Sequence, residues 1–377
     1  MILSKEDALF AAQYFRDYFQ DFGRIDDYLR RVKLERISKL PTMLPMFSYG
    51  DEMFSDFRIH PNDMDFRISV VDGPTNRIFS EYLEVTTSHA IEDNVPGKNL
   101  KLMVYETNSN KLVGFIRLAS PVLNMKPRNE FLGKPLDTYN ADVMARFNKS
   151  AAMGFIIVPT QPFGFNYLGG KLLAAICCSH KVKDLFDAKY GINLCHFETT
   201  SLYGTTKSSS QYDGMKPYLR NKGLTDSNFT PLLNDEKFHT MNKWFIDTLG
   251  GELVERGVSS RKLKIQTKMI SIIKASLKKT SETDYAEFCQ TIQDAKGLTE
   301  RKRVYMSDYG YANTKEYLNL ETDELVKKDN FDSYSFDNLV GWWKKKATNR
   351  FEKLRDENSL RLEQEIWSEK SDIDIIR

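Results

Sequence analysis

A glycine-containing segment between a predicted strand and a predicted helix has the composition best suited to hold an anion. The apolar run 155–158 precedes the residues QPFGFNYLGGK, numbered 161–171, and an apolar helical pattern follows them. Glycine lets a backbone approach a ligand closely, and the free amides at the start of a helix attract phosphate. The segment therefore predicts a phosphate site, although its glycines would equally suit a tight turn with close packing. The residues concerned are Gly164, Gly169, Gly170 and Lys171.

Glu198 falls at the carboxyl end of a predicted strand, residues 193–199. Ligand crevices of open α/β sheets form at the carboxyl ends of their strands. The carboxylate is therefore a candidate general base that accepts a proton from a nucleophilic amine. In the structural alternative, it accepts hydrogen bonds from the backbone amides of the loop that follows.

That loop is unusually polar and is a candidate nucleic-acid contact. Residues 199–212 combine hydroxyl groups and a lysine, which suit phosphate or sugar oxygens, with tyrosines that could stack on a base. A long loop in a compact layout is usually functional or disordered. The candidate contacts are Thr199, Thr200, Ser201, Tyr203, Lys207 and Tyr212.

The run 256–279 carries the strongest charge signal in the chain, because it contains eight Lys or Arg and no acidic residue. Apolar residues recur at helical spacing, and Lys264, Lys268 and Lys274 are left for solvent or for phosphate. A solvated helix face is the alternative. The apolar positions are Ile265, Met269, Ile272, Ile273 and Leu277. A second segment, WWKKK at 342–346, also joins aromatic residues to cations, with a core-facing Trp pair as its alternative.

Metal chemistry is not expected from this sequence. His180 and His196 have no second ligand three or four residues away, and the four cysteines show no metal-knuckle spacing. The adjacent pair Cys177 and Cys178 lies in an apolar helical pattern, so we expect the cysteines to be reduced core thiols.

Composition indicates a globular protein inside the cell. The 377 residues are 41% hydrophobic and 28% charged, with a formal net charge of +2. No apolar run reaches the roughly 18 residues of a membrane span, and no signal-peptide pattern opens the sequence. We therefore expect a cytoplasmic protein without a membrane partner.

The order of predicted elements indicates an α/β core with helical extensions. Two β-rich runs flank the turn-forming ETNSNK and predict a hairpin over 99–120. A strand, a helix over about 167–190, a second strand and a short helix within 211–223 follow. Ser4 is a predicted helix N-cap and Gly191 a predicted left-handed C-cap. The expected organisation is a mostly helical region 1–95, an α/β core 96–233, and a helical, basic region 234–377.

The pattern Gln161-x-x-Gly164-x-Asn166 after a strand resembles the phosphate-binding turn of GNAT acyltransferases. The resemblance implies a GNAT-like mixed sheet with flanking helices and a groove between two strands. The groove would hold acyl coenzyme A or another phosphorylated donor against residues 161–171. It also implies that Tyr218 donates a proton to the leaving thiolate, with a packing role as the alternative for this tyrosine. Asn166 departs from the family pattern, since its side chain is expected to project into the phosphate path where the family has a small residue.

Residues from about 99 to 227 resemble the DruA domain of the Druantia anti-phage system and its phage relatives. The resemblance lies in LVGFIRLAS, GFIIVP, LGGKLLA, YGINLCHFET and YDGMKPYLRNKGLT. It implies a nucleic-acid-directed role in the conflict between host and virus, with other phage or defence proteins as partners. Mom-type DNA-modifying proteins of phages are also GNAT-like, which suggests base modification.

Two functions remain open from the sequence, and the first is favoured. It is a GNAT-like, acyltransferase-like enzyme that modifies nucleic acid, DNA being favoured, with Glu198 and Tyr218 as catalytic groups. The second is a non-catalytic nucleic-acid-binding module of a phage or defence system that has lost its cofactor. Gly164 and Glu198 favour the first function, and Asn166 favours the second.

Overall fold

The computed structural model describes most of the chain. The described residues are 1–40, 52–86, 97–201, 209–226, 231–255, 261–298, 301–368 and 370–371. The described α-helices are α1 (Lys5–Phe19), α2 (Ile25–Ile37), α3 (Gly73–Thr86), α4 (Lys126–Leu132), α5 (Ala141–Ser150), α6 (Phe163–Tyr167), α7 (Gly169–Cys177), α8 (His180–Tyr190), α9 (Asp235–Leu249), α10 (Arg261–Thr280), α11 (Glu282–Gly297), α12 (Thr314–Leu318) and α13 (Phe336–Asp356).

Within the described residues, a mixed sheet of seven strands organises the α/β part, which confirms the predicted mixed α/β class. The strands are β1 (Phe66–Val70), β2 (Asn99–Glu106), β3 (Lys111–Ala119), β4 (Ala151–Pro159), β5 (His196–Ser201), β6 (Arg220–Leu224) and β7 (Arg303–Ser307). Their order across the sheet is β1-β2-β3-β4-β5-β7-β6. Strands β4 and β5 pair in parallel, and the other neighbouring strands pair antiparallel.

Strands β4 and β5 stay together over only part of their length. Their pairing begins at Ala151 with His196 and ends at Gly154 with Thr199. At the same level the register of β4 against β3 shifts, so that Phe155 has no partner residue in β3. A bulge of this kind bends a strand and commonly lies beside functional sites. The carboxyl half of β4 therefore leaves β5 at this point.

The chain divides into two compact units. The first comprises Met1–Val32, Glu92–Pro96 and Ser227–Glu300, and the second comprises Lys33–Ile91, Gly97–Asp226 and Arg301–Arg377. In the first unit, α1 packs on α10 and α11, and the amide of Leu3 donates to Ser276 Oγ at 2.9 Å. The second unit contains the whole sheet together with α13.

Several local expectations are confirmed. The hairpin forms β2 and β3, Ser4 Oγ accepts from the Asp7 amide at 3.1 Å, and Gly191 adopts φ of 62° after α8. The cysteines are unpaired, and burial raises the pKa of the Cys178 thiol to about 12. Cys177 and Cys195 are also buried, whereas Cys289 is half-buried. None of the described helices has the length and apolarity that a bilayer crossing requires.

Other boundaries differ from the predictions. The helix expected over 167–190 is divided, because Leu168 has a left-handed φ of 55° and Ser179 caps a new helix. The prediction of a short helix within 211–223 is wrong, because this stretch forms turns and then β6. Pro217, in the turns, lacks the N–H that a helix needs. The predicted helical region 1–95 also supplies a strand to the sheet, β1.

Candidate functional site

The glycine-containing turn folds into α6 and α7, and much of its hydrogen-bonding capacity is used within the chain. The amide of Gly164 donates to Thr160 O, that of Asn166 to Pro162 O and that of Lys171 to Leu168 O, each at 2.9 Å. A Cβ on Gly169 would lie 2.9 Å from Pro159 Cβ. The geometry of the turn therefore favours close packing over an open phosphate cradle.

Asn166 does not project into a phosphate path as the sequence suggested. Its side chain is fully buried and binds the backbone of Arg361 in both directions. Nδ2 donates to Arg361 O at 2.7 Å, and the Arg361 amide donates to Oδ1 at 3.1 Å. The Asn166 side chain thus pairs with both backbone polar groups of Arg361, as a neighbouring strand would. The departure from the GNAT pattern therefore has a structural reason.

The segment 360–368 lies across the same turn. The amide of Glu365 donates to Gln161 O at 3.1 Å, and the Arg361 guanidinium lies 3.8 Å from the Phe165 ring centroid. Trp367 is buried, and its amide bonds Val85 O at 2.6 Å. Two of the residues assigned from sequence to a cofactor, Gln161 and Asn166, therefore contact the carboxyl-terminal part of the chain.

Lys171 and Gly170 lie against the turn that precedes β6. Lys171 Nζ donates to the backbone oxygens of Gln211, at 2.8 Å, and of Asp213. Burial lowers the pKa of Lys171, and the charge of Lys346 lowers it further, whereas Asp213 opposes the shift. A Cβ on Gly170 would lie 2.3 Å from Gln211 Oε1. Lys171 therefore holds this turn in place.

The polar segment after Glu198 is partly strand and not loop. Thr199 and Ser201 are buried in β5, with Thr199 Oγ1 donating to Gly154 O at 2.9 Å, while Thr200 is half-buried. Tyr212 is buried against Tyr305, with ring centroids 5.2 Å apart. Of the six predicted contacts, Tyr203 and Lys207 lie outside the described residues. The other four are buried or half-buried, so little of their side-chain surface is accessible to a ligand.

Glu198 is the third residue of β5 and is fully buried, so it does not stand at the strand's end. Its Oε1 accepts from Arg128 Nη1 at 2.7 Å, and its Oε2 lies 3.3 Å from His196 Nε2. Arg128 also donates to the backbone oxygens of Val122 and Leu123, each at 2.7 Å. Burial lowers the pKa of Arg128, and the facing carboxylate opposes that shift. The arrangement fixes α4 and the segment before it on the sheet.

Tyr218 follows the turn at 211–217 and is largely buried. Its ring meets Tyr334 and Trp342 edge to face, at centroid distances of 5.1 and 5.6 Å. Trp343 is fully buried and donates to Tyr167 O at 2.9 Å, so the Trp pair is divided between core and half-buried positions. The contacts of Tyr218 are those of a packing residue.

The basic helix is the predicted feature that the structure reproduces best. It forms α10, and Ile265, Met269, Ile272, Ile273 and Leu277 are all buried. Lys264 and Lys268 are exposed, Lys274 is half-buried, and Lys278 and Lys279 continue the exposed face. Within the described part of the chain, Lys264, Lys268 and Lys274 have no carboxylate at ion-pair distance.

Sequence reasoning missed two charged centres. One is Arg128, the partner of Glu198. The other is Asp308, which accepts from Lys328 Nζ and lies 3.5 Å from Arg220 Nη1. Across the described ranges, no group of three or more His, Cys, Asp or Glu is placed to hold a metal ion.

Comparison with known proteins finds similarity over the amino-terminal and central parts of the chain. Residues 28–209 match the family model described as "Druantia protein DruA". The chain is also similar to the Druantia protein DruA of Escherichia coli (strain UMEA 4076-1), with 25% identity over 201 residues. That alignment covers 48% of this chain and 46% of the relative, so the chain spans about half the length of the curated relative it matches. No solved structure matches.

These findings define a mixed α/β protein with a DruA-like domain, which confirms the resemblance seen in the sequence. The match begins well before residue 99, where that resemblance started, and so includes β1 and α3. It ends at 209, before β6, β7 and α13 complete the sheet and its helical cover.

Proposed function

We propose that the protein is a nucleic-acid-binding component of a bacterial anti-phage system, acting in the cytoplasm on DNA together with other proteins of that system. The DruA-like domain supports the defence context, because the relative is named for Druantia. The exposed lysines of α10 support nucleic acid as the ligand. This is the second of the two functions that the sequence left open.

The observation that carries the proposal is the division of α10 into two faces. One face is buried in the first unit, so the helix cannot rotate to hide its lysines. From Lys264 to Lys278 the exposed face spans about 21 Å at 1.5 Å per residue. A row of cations of that length, without ion pairs among the described residues, suits contacts with several backbone phosphates, which supply most of the non-specific affinity for nucleic acid.

The buried state of Glu198 weighs against base catalysis by that residue. A general base must reach the proton it removes directly or through one water. Glu198 is instead enclosed with Arg128 and His196, and the turn at 161–171 is covered by its own packing and by residues 360–368. A binding function needs neither group to be accessible.

A GNAT-like transferase that modifies DNA bases is the second candidate, and one observation favours it. Strands β4 and β5 part after Gly154 and Thr199, at the bulge around Phe155. Such a parting could admit acyl coenzyme A or another phosphorylated donor between the strands. Native mass spectrometry of the purified full chain tests this candidate: a co-purifying coenzyme or nucleotide would support transfer chemistry over simple binding.

Replacing Lys264, Lys268 and Lys274 together by Gln should weaken binding to DNA duplexes of unrelated sequence equally. Each lost phosphate contact removes about 0.9 from the slope of log affinity against log salt, so the slope should flatten by about 2.7. Fluorescence anisotropy with labelled duplexes over a salt series measures both quantities.

The matched control removes the same charge from exposed lysines elsewhere, Lys5, Lys134 and Lys243, also as Gln variants. It should keep a slope close to that of the wild-type protein, because α10 is intact. Equal slopes for the two triple variants would show that net charge alone matters and would exclude α10 as the binding face.

A further inference from the structure

Two cations face one carboxylate at the start of the edge strand β6, and a third cation lies two residues further along that strand. Asp308 Oδ2 accepts from Lys328 Nζ and lies 3.5 Å from Arg220 Nη1. The side chains of Arg220, Lys328 and Asp308 are 38%, 25% and 19% exposed. Lys222 follows two residues after Arg220 on the same strand. One carboxylate cannot neutralise three cations, so the cluster carries excess positive charge in a half-buried place.

Lys222 is the cation of this cluster without a carboxylate of its own. Its Nζ lies 4.8 Å from the Phe131 ring centroid, and within the described residues it makes no ion pair or hydrogen bond. Burial lowers the pKa of Lys222, and so do the charges of Arg220 and Lys328, while Asp308 opposes them. The ammonium is therefore held in a position where an added anion would stabilise it.

Asp308 fixes the cluster in place and does not merely cancel charge. Its Oδ1 accepts from the Gly310 amide at 3.0 Å and from the Tyr334 hydroxyl at 3.4 Å. A carboxylate anchored in this way holds Arg220 and Lys328 in defined positions before any ligand arrives. Pre-organised cations lose less conformational entropy on binding than freely rotating ones do.

The position on an edge strand makes the cluster accessible. Among the described strands, β6 pairs only with β7, at the end of the sheet order, and the Arg220 side chain remains 38% exposed. Charged side chains on an edge strand commonly serve to prevent sheet extension. That role needs neither two cations on one carboxylate nor a half-buried ammonium that makes no ion pair within the described residues, so it does not explain the cluster.

We propose that Arg220, Lys222 and Lys328 form a binding site for a backbone phosphate of a polynucleotide. The site lies on the unit that contains the sheet, whereas α10 belongs to the first unit. It rests on the proposed nucleic-acid function and adds to it a defined phosphate position. The chemistry is that of a phosphate diester, which accepts hydrogen bonds from the guanidinium and the two ammonium groups.

The test compares three full-chain variants by anisotropy with the same labelled duplex: Lys222→Gln, Lys222→Arg and, as the control, Lys134→Gln. Lys134 is an exposed lysine of the same unit. Lys222→Gln should weaken binding about three- to tenfold and flatten the salt slope by about 0.9. Lys222→Arg should keep the wild-type affinity and salt slope, and Lys134→Gln should change neither quantity. Binding by Lys222→Gln that matches the control would overturn the site.

A second measurement separates failure of this site from failure of the proposed function. The lysines of the full chain are labelled by reductive ¹³C-methylation, and the Lys222 resonance is assigned from the Lys222→Arg spectrum. Titration with inorganic phosphate should raise the pKa of Lys222, because the anion offsets the repulsion by Arg220 and Lys328. If the wild-type protein binds no duplex but phosphate still raises this pKa, the nucleic-acid function fails and the phosphate site stands. An unchanged Lys222 pKa would overturn the site.

Discussion

Replacing Glu198 by Gln should lower the free energy of unfolding by about 3 to 5 kcal/mol, because it leaves the charge of Arg128 buried without a counter-ion. Arg128 is fully buried, and its other acceptors are backbone carbonyls, which carry no net charge. The loss should appear as a shift of the urea midpoint in equilibrium denaturation of the full chain.

A double variant provides the control for this prediction. Replacing both partners, as Arg128→Met with Glu198→Leu, removes the buried charges together, and apolar side chains can fill their space. The double variant should be more stable than Glu198→Gln, since exchanging a buried ion pair for apolar groups is often neutral. If Glu198→Gln unfolds at the wild-type midpoint while a defence phenotype is lost, Glu198 has a chemical role and our structural assignment is wrong.

Replacing Trp343 by Ala should cost about 3 to 5 kcal/mol of unfolding free energy. The indole is fully buried, packs against Phe66 at 5.1 Å between ring centroids, and donates to Tyr167 O. Its removal leaves a cavity and an unpaired carbonyl where α13 meets the core of the second unit. Denaturant unfolding followed by far-UV circular dichroism measures the loss.

The neighbouring residue supplies the matched control. Trp342 is half-buried and lies in edge contact with Tyr218, so Trp342→Ala removes the same side chain from a more open place. We expect a clearly smaller loss for Trp342→Ala. Equal losses would mean that α13 is held by its whole apolar face and that Trp343 is not its main anchor.

The sequence predicted best what depends on local patterns. The two faces of α10 follow from helical spacing, and the hairpin of β2 and β3 follows from a turn-forming segment between apolar runs. The capping roles of Ser4 and Gly191 depend only on their immediate neighbours. Each of these signals lies within a few residues of the structure it specifies.

What the sequence could not predict depends on residues far apart in the chain. Arg128 and Glu198 are 70 positions apart, and Asn166 and Arg361 are 195 apart. No sequence periodicity indicates such pairs. The sequence therefore predicted Glu198 as an accessible base and Asn166 as an obstacle to phosphate. Strand β6 was missed for the same reason, because its partner β7 begins some eighty residues later.

The predicted mixed α/β fold class is confirmed, while the cofactor site that the GNAT resemblance implied stays a prediction. The turn at 161–171 has the expected place after a strand, yet Pro159, Gln161 and Phe163 occupy the space that its glycines leave. Glycines that admit a ligand and glycines that admit a neighbouring side chain have the same sequence pattern. Only the packed structure distinguishes the two.

The central claim, that this DruA-like protein binds nucleic acid through backbone phosphates, is tested most directly by titrating the wild-type full chain against a labelled DNA duplex at several salt concentrations. We predict that the logarithm of the association constant falls linearly with the logarithm of the salt concentration. The slope should be about −2.7 or steeper, as expected for three or more phosphate contacts. The slope should be the same for duplexes of unrelated sequence. Absence of binding at low salt, or an affinity that salt does not change, would contradict the account.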